Sequence, residues 1–349
     1  MISPYPHFHP LSPLLALDIG GANIKLADGN GYAASRPFDL WKYPERLAEE
    51  ITKCLAEAPP ADRLAITMTG ELCDCFETKS EGVRAIVAAS LTAACNRSVF
   101  FYQTNGHFVS AEIAIESPLL TAASNWHALA SLAATYCEQK PGLLIDIGST
   151  TTDMIPLVAG KVAAQGHTDT ERLLHGELVY SGIERSPVCG VVSQLPWRGE
   201  MYPVALELFA TTADAYLLLG DIAEDAMDNN TADGKPLTIA AAHTRLARMI
   251  CADRELVLPT ETVEFAQAIR AAQIVRMEIA LRRVIEAMPA PPQIAVLSGH
   301  GEFLAHQLLT RLDFEIQFVS LTKEWGPNLS RCAPAHALAL LAKKGVTSP

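Results

Sequence analysis

The strongest constraint on this chain is that its opening is written twice. Leu15-Ala16-Leu17-Asp18-Ile19-Gly20 recurs as Leu143-Leu144-Ile145-Asp146-Ile147-Gly148, offset by 128 residues. Each copy is a short apolar run ending in Asp-Ile-Gly, then small or polar residues, then a second strand-like run. A run of that length between turn signals reads as a buried strand, and the glycine marks the turn. A single Asp-Ile-Gly at a strand end could arise by chance. Two strand–turn–strand units of the same design point to an internal duplication, one copy per lobe.

The rest of the chain alternates strand and helix patterns, which gives an α/β class. Strands are expected over 14–18, 23–28, 31–36, 64–69, 99–103, 294–297 and 315–320. Helices are expected over 45–57, 81–94, 121–136, 211–227, 239–251, 261–288 and 335–343. A polar, irregular stretch fills 166–202, and 228–236 is rich in turn residues. No low-complexity linker separates the halves, so two packed lobes with a cleft between them are expected. The division is 1–120 for the first lobe and 121–349 for the second, with an insertion near 166–290 and a glycine-rich turn at 298–301.

Charge narrows the partners. The 349 residues carry a formal net charge of −12, which disfavours sequence-independent binding to nucleic acid and docking on anionic lipid. Phosphate ligands stay open, because backbone amides and metal ions can hold them. No apolar stretch approaches the ~20 residues that span a bilayer, and Met1–Pro6 lacks the basic region of a secretory signal. The eight cysteines are scattered, with Cys73 and Cys75 alone close together and no C-x-x-C pair. That supports neither a zinc ribbon nor a disulfide framework and fits a reducing cytoplasm.

Three segments carry chemistry. In Asp18-Ile19-Gly20-Gly21-Ala22-Asn23-Ile24-Lys25, Gly20 and Gly21 let backbone N–H groups approach an anion. Asp18 can hold Mg²⁺ directly or through water, and Lys25 can reach a phosphate oxygen. The turn leads into a strand, so it is neither a Walker loop nor a dinucleotide fingerprint; an ordinary glycine hairpin is the plainer reading. In Asp146-Ile147-Gly148-Ser149-Thr150-Thr151-Thr152-Asp153, hydroxyls and amides suit phosphate oxygens, while Asp146 and Asp153 suit a divalent cation. Third, Ser298-Gly299-His300-Gly301-Glu302 joins an apolar strand to a helix, where Ser298, Gly299 and Gly301 allow a phosphate or flat ligand to approach a helix N-terminus.

Other residues leave alternatives open. Glu71 and Asp74 follow a strand end, where either can bind metal or act as a base; Asp74 can equally be a helix cap. Asp214 either starts a helix beside Thr211 and Thr212 or faces the cleft. Asp221, Asp225 and Asp228 would share one helix face, gathering a cation or merely facing solvent. Tyr180 and Arg185 lie in the irregular segment, where Arg185 can clamp a phosphate or pair on the surface.

In this order the three segments resemble those of the sugar kinase/Hsp70/actin superfamily, in its hydantoinase/oxoprolinase-type branch. Together with 67–74, 177–187, 209–216 and 228–234 they look most like the methanofuran-biosynthesis synthase family. The resemblance implies a two-lobed, ribonuclease H-like duplicated fold with an interlobe cleft. It implies a transferase that joins a furfuryl diphosphate to the phenol of a tyramine or tyrosine unit, in one-carbon cofactor biosynthesis. Catalysis would fall to Asp18, Lys25, Glu71 and Asp146, phosphate binding to the three turns, Mg²⁺ to Asp18, Asp146 and Asp153, and the substrates to Asp74, Tyr180, Arg185 and Asp214. Whether ATP binds is left open, as is homo-oligomerisation. The alternative is an ATP-dependent kinase or a hydantoinase/oxoprolinase-type amidohydrolase.

Overall fold

The computed structural model describes residues 12–344; Met1–Pro6, read above as lacking a signal pattern, lie outside them. Fourteen strands are seen there: β1 (Leu14–Ile19), β2 (Asn23–Ala27), β3 (Ala33–Pro37), β4 (Arg63–Met68), β5 (Ser98–Tyr102), β6 (Phe108–Val109), β7 (Gly142–Ile147), β8 (Thr152–Val158), β9 (Lys161–Val162), β10 (Leu178–Val179), β11 (Gln194–Trp197), β12 (Glu200–Pro203), β13 (Ile294–Ser298) and β14 (Gln317–Ser320). The first sheet runs β3-β2-β1-β4-β5-β6 and the second β10-β8-β7-β13-β14. Neighbours match in sense along both. β3/β2 and β2/β1 are antiparallel, as are β10/β8 and β8/β7. β1/β4 and β4/β5 are parallel, as are β7/β13 and β13/β14. The duplication seen in the sequence is therefore a duplication of topology, and the fold is the two-lobed α/β arrangement expected.

Strand alternation then aims the two aspartates. Every residue of β1 is buried, which requires cover on both faces of the sheet. Leu15, Leu17 and Ile19 pack with Leu47, Ile51 and Val83 on one side. Leu14 and Ala16 pack on the other, against Ala128 and against Leu338, Ala339 and Ala342 of the helix Ala333–Lys344. With a period of two, Asp18 shares the face of Leu14 and Ala16. In β7, Leu144 packs with Trp126, Leu129, Ala333 and Ala337, and Asp146 shares that face. Both aspartates therefore look toward one seam, formed by the helices Asn125–Ala133 and Ala333–Lys344. The second of these helices, late in the chain, packs on the first sheet.

Two expected helices differ. The pattern over 121–136 is broken: a short helix Pro118–Thr121 gives way to Ala123, whose φ of 48° lies in the left-handed region, before Asn125–Ala133 and a 3₁₀ turn Ala134–Cys137. The helix expected over 211–227 is Thr212–Leu219 and closes on Gly220. Asp221, Asp225 and Asp228 consequently share no helix face. Asp221 pairs with Arg270 at 3.4 Å, and Asp225 and Asp228 accept from the amides of Met227 and Asn230. Among the described residues no helix is long and apolar enough to cross a membrane.

Candidate active site between the lobes

The two turns are built alike. Gly20 N–H donates to the Asn23 carbonyl at 2.9 Å and Gly148 N–H to the Thr151 carbonyl at 2.9 Å. Each turn is braced by a returning segment. Phe38 N–H donates to Ala22 and Leu40 N–H to Gly21. Ile183 N–H donates to Gly148, and Glu184 and Arg185 N–H both donate to Ser149. Each brace then delivers a side chain to the cleft, Trp41 from the first lobe and Arg185 from the second. The cleft has a volume of about 710 Å³ and is lined by Asp18, Lys25, Asp146, Asp153, both turns, Asp74, Tyr180, Arg185 and Gly299. It thus unites most of the residues expected at the site.

The two aspartates sit in different electrostatic company. In the antiparallel register Asp18 stands opposite Lys25, and Asp146 opposite Asp153. Asp18 is 4% exposed, and its Oδ1 has no hydrogen-bond partner among the described residues. Burial raises its pKa, and Lys25 partly offsets this. The pKa of Asp146 is pushed up to about 6 by burial and then by Asp153, against the pull of Ser298, Lys25 and His300. Asp146 keeps some surface open to the cleft. Lys25 thus acts on both carboxylates.

Three cations at the cleft, Lys25, Arg185 and Arg331, form no ion pair among the described residues. Arg172 is different. It is buried and ion-paired with Asp153, bonds Asp169 at 3.2 Å and stacks over Trp126 at 4.1 Å. Asp153 was expected as a metal ligand; its charge is instead answered by this guanidinium. Among the described residues no three His, Cys, Asp or Glu side chains converge as a metal cage. Mg²⁺ commonly takes only one or two carboxylates, completing its shell with water and substrate phosphate, and the unpartnered Oδ1 of Asp18 beside the cleft suits that role.

Other expectations need correction. Asp214 does not line the cleft: it is 1% exposed, closes a capping box with Thr211 and bonds Arg245 Nε at 2.7 Å. Gly301 packs against Ile147 and Ile183 rather than cradling an anion. Ser298 is buried opposite Asp146 in the β13/β7 register. Glu71 lies behind the wall formed by Leu72, Cys73 and Asp74, 1% exposed, with neither carboxyl oxygen hydrogen-bonded. Desolvation pushes its pKa up to about 7. Trp41 and Arg331 had not been singled out. Trp41 is 43% exposed at the cleft, and no motif around it marks that position in the sequence. Arg331 ends the short helix Pro327–Arg331 and carries no motif.

Gly299 is the residue whose backbone the site cannot replace. Its φ is +84°, and a Cβ there would strike the Ile147 carbonyl and stand 2.7 Å from Asp146 Oδ1. Gly199 has the same φ, with nothing within 4 Å. Gly299→Ala should therefore cost about 1–3 kcal/mol more than Gly199→Ala, the overpacking being added to a shared backbone strain. Denaturant unfolding of the two variants checks this; equal losses would remove the contact from the account.

The hydantoinase/oxoprolinase family matches residues 62–344. A Methanocaldococcus jannaschii protein named (4-{4-[2-(gamma-L-glutamylamino)ethyl]phenoxymethyl}furan-2-yl)methanamine synthase is 34% identical over 95% of this chain and 98% of its own. A Methanococcus vannielii protein of the same name is 31% identical over 58% of this chain and 91% of its own. Among solved structures, an inorganic polyphosphate/ATP-glucomannokinase from Arthrobacter sp. strain KM aligns at 13% identity and a TM-score of 0.45, covering 95% of this chain and 98% of that one. On the family match and the length of the first relative's similarity, the chain belongs to the hydantoinase/oxoprolinase family.

Proposed function

We propose that this protein is a transferase that joins an aminomethylfuran-methyl diphosphate to the phenol of a tyramine derivative, forming an aryl–furfuryl ether and releasing diphosphate. The name carried by both relatives describes such a phenoxymethyl-furan product. The observation that carries the reading is the make-up of the cleft. Unpaired cations and two amide-rich turns suit a diphosphate, while the exposed faces of Trp41, Leu72 and Tyr180 on the same walls suit flat rings.

In the reaction, the bond between the furfuryl methylene and the diphosphate oxygen breaks, and its electron pair leaves with the diphosphate. The electron-rich furan spreads the positive charge left on the methylene. Lys25, Arg185 and the amides of Gly21, Ser149 and Thr150 meet the charge growing on the leaving group, while the Gly20 and Gly148 amides close the turns themselves. Each well-aimed donor in such a site is worth ~3 kcal/mol of barrier. Mg²⁺, held by Asp18 and Asp146, would add charge neutralisation at the diphosphate. The phenol oxygen then attacks the methylene, and its proton passes to Asp74, the carboxylate on the wall with Leu72. With an ordinary phenol pKa of ~10, a positioned base is needed at neutral pH. Closure of the lobes would keep water from the cation.

The test is incubation of the protein and Mg²⁺ with the synthetic diphosphate and γ-glutamyltyramine or tyrosine, followed by mass spectrometry. The expected product has the mass of both substrates less diphosphoric acid. A phosphorylated acceptor formed with ATP, and no ether, would move the protein to the kinase reading.

A further inference from the structure

The two turns are held in different ways. In the first lobe the bracing residues Phe38 and Leu40 are themselves part of the apolar core, at 8% and 0% exposure. The brace of the second lobe begins at Ser181 and Gly182, and there the anchoring is polar. Gln273, fully buried on the helix Pro259–Ala287, donates through Nε2 to Ser181 Oγ and to the Gly182 carbonyl, both at 2.8 Å. Its Oε1 accepts from Tyr216 at 2.5 Å. Thr212 Oγ1 donates to the same Gly182 carbonyl at 2.9 Å. Ser181 returns its own carbonyl to Thr152 Oγ1 at 2.8 Å, beside the turn. Gly182 must lie this close, because a Cβ on it would meet the Gly148 and Ser149 backbone at 2.5–2.6 Å. The next three amides are those that hold the turn carbonyls and present Glu184 and Arg185 to the cleft.

We infer that Gln273 and Thr212 are positioning residues for the second anion-binding turn: from the core they fix Gly182, and through it the Gly148–Thr151 amides and Arg185. Neither residue lines the cleft. A buried polar network of this kind specifies one backbone placement because each lost bond strands its partner. The inference deepens the reading above, since it assumes that the turn receives a diphosphate.

The test uses the full chain and inorganic diphosphate with Mg²⁺ in calorimetry, well below the unfolding temperature. Gln273→Leu and Thr212→Val should each weaken diphosphate binding about tenfold, and raise KM for the diphosphate substrate while KM for the phenol holds. Thr212→Ser, which keeps the hydroxyl, should bind like the parent. Amide hydrogen exchange over 148–151 and 183–185 should quicken in the first two variants, and this readout needs no ligand. Parent-like exchange in folded Gln273→Leu and Thr212→Val protein overturns the inference, as does binding within twofold of the parent. Quickened exchange in a chain whose parent binds no diphosphate upholds the positioning role and overturns the diphosphate reading instead. Should Gln273→Leu fail to fold, the Thr212 pair decides.

Discussion

Asp18→Asn should abolish ether formation while leaving the chain folded and at least as stable. The carboxylate is buried at a strand end with one oxygen unpartnered, and burial raises its pKa. An acid whose folded pKa is raised binds its proton more tightly in the native state. Its stabilising contribution is therefore present at low pH and is lost as pH rises from the unfolded pKa through the folded one. Above the unfolded pKa this cost opposes folding, and a neutral amide of the same shape removes it. On the mechanism proposed above, the same change removes a ligand for the cation that would neutralise the diphosphate, an expected loss of about a thousandfold, or ~4 kcal/mol of barrier. Turnover by mass spectrometry and thermal unfolding on one preparation check both halves. Parent-like activity would take Asp18 out of the mechanism.

Glu71→Gln is expected to be the largest stabilising change. The carboxyl is 1% exposed and unbonded at both oxygens, and its pKa moves from 4.5 to about 7. At about 1.36 kcal/mol per pKa unit, the ionised group costs on the order of 3 kcal/mol at pH 8. The parent should lose this stability as pH climbs from 4.5 to about 7, because over that window the unfolded chain releases the proton and the folded one keeps it. Gln has no proton to release, so the variant should gain on the parent across that window and hold its lead above it. Urea titrations of both proteins at pH 4, 6 and 8 measure this. Parallel stability curves would mean that the carboxyl is solvated in solution.

What the sequence disclosed was what is local. Asp18, Asp146 and the turns after them are written within eight residues each, and strand alternation alone decides which way the aspartates face. Trp41 and Arg331 reach the cleft through chain reversals that no short window records. Asp153 and Asp214 were misread for another reason. Their partners, Arg172 and Arg245, lie 19 and 31 residues away, and a carboxylate looks free until its guanidinium is found. The helix patterns over 121–136 and 211–227 failed where apolar spacing ran on past a backbone break, at Ala123 and at Gly220.

The helix Ala333–Lys344 covers the face of β1 that carries Leu14 and Ala16, and so separates the order of synthesis from the order of assembly. A nascent chain emerging from the ribosome presents the first sheet with one greasy side bare. Its cover stays incomplete until more than two hundred residues beyond Val109 have been translated. The amino-terminal half is thus a late finisher despite being made first, exposed in the meantime to the mispairing that threatens partly assembled chains.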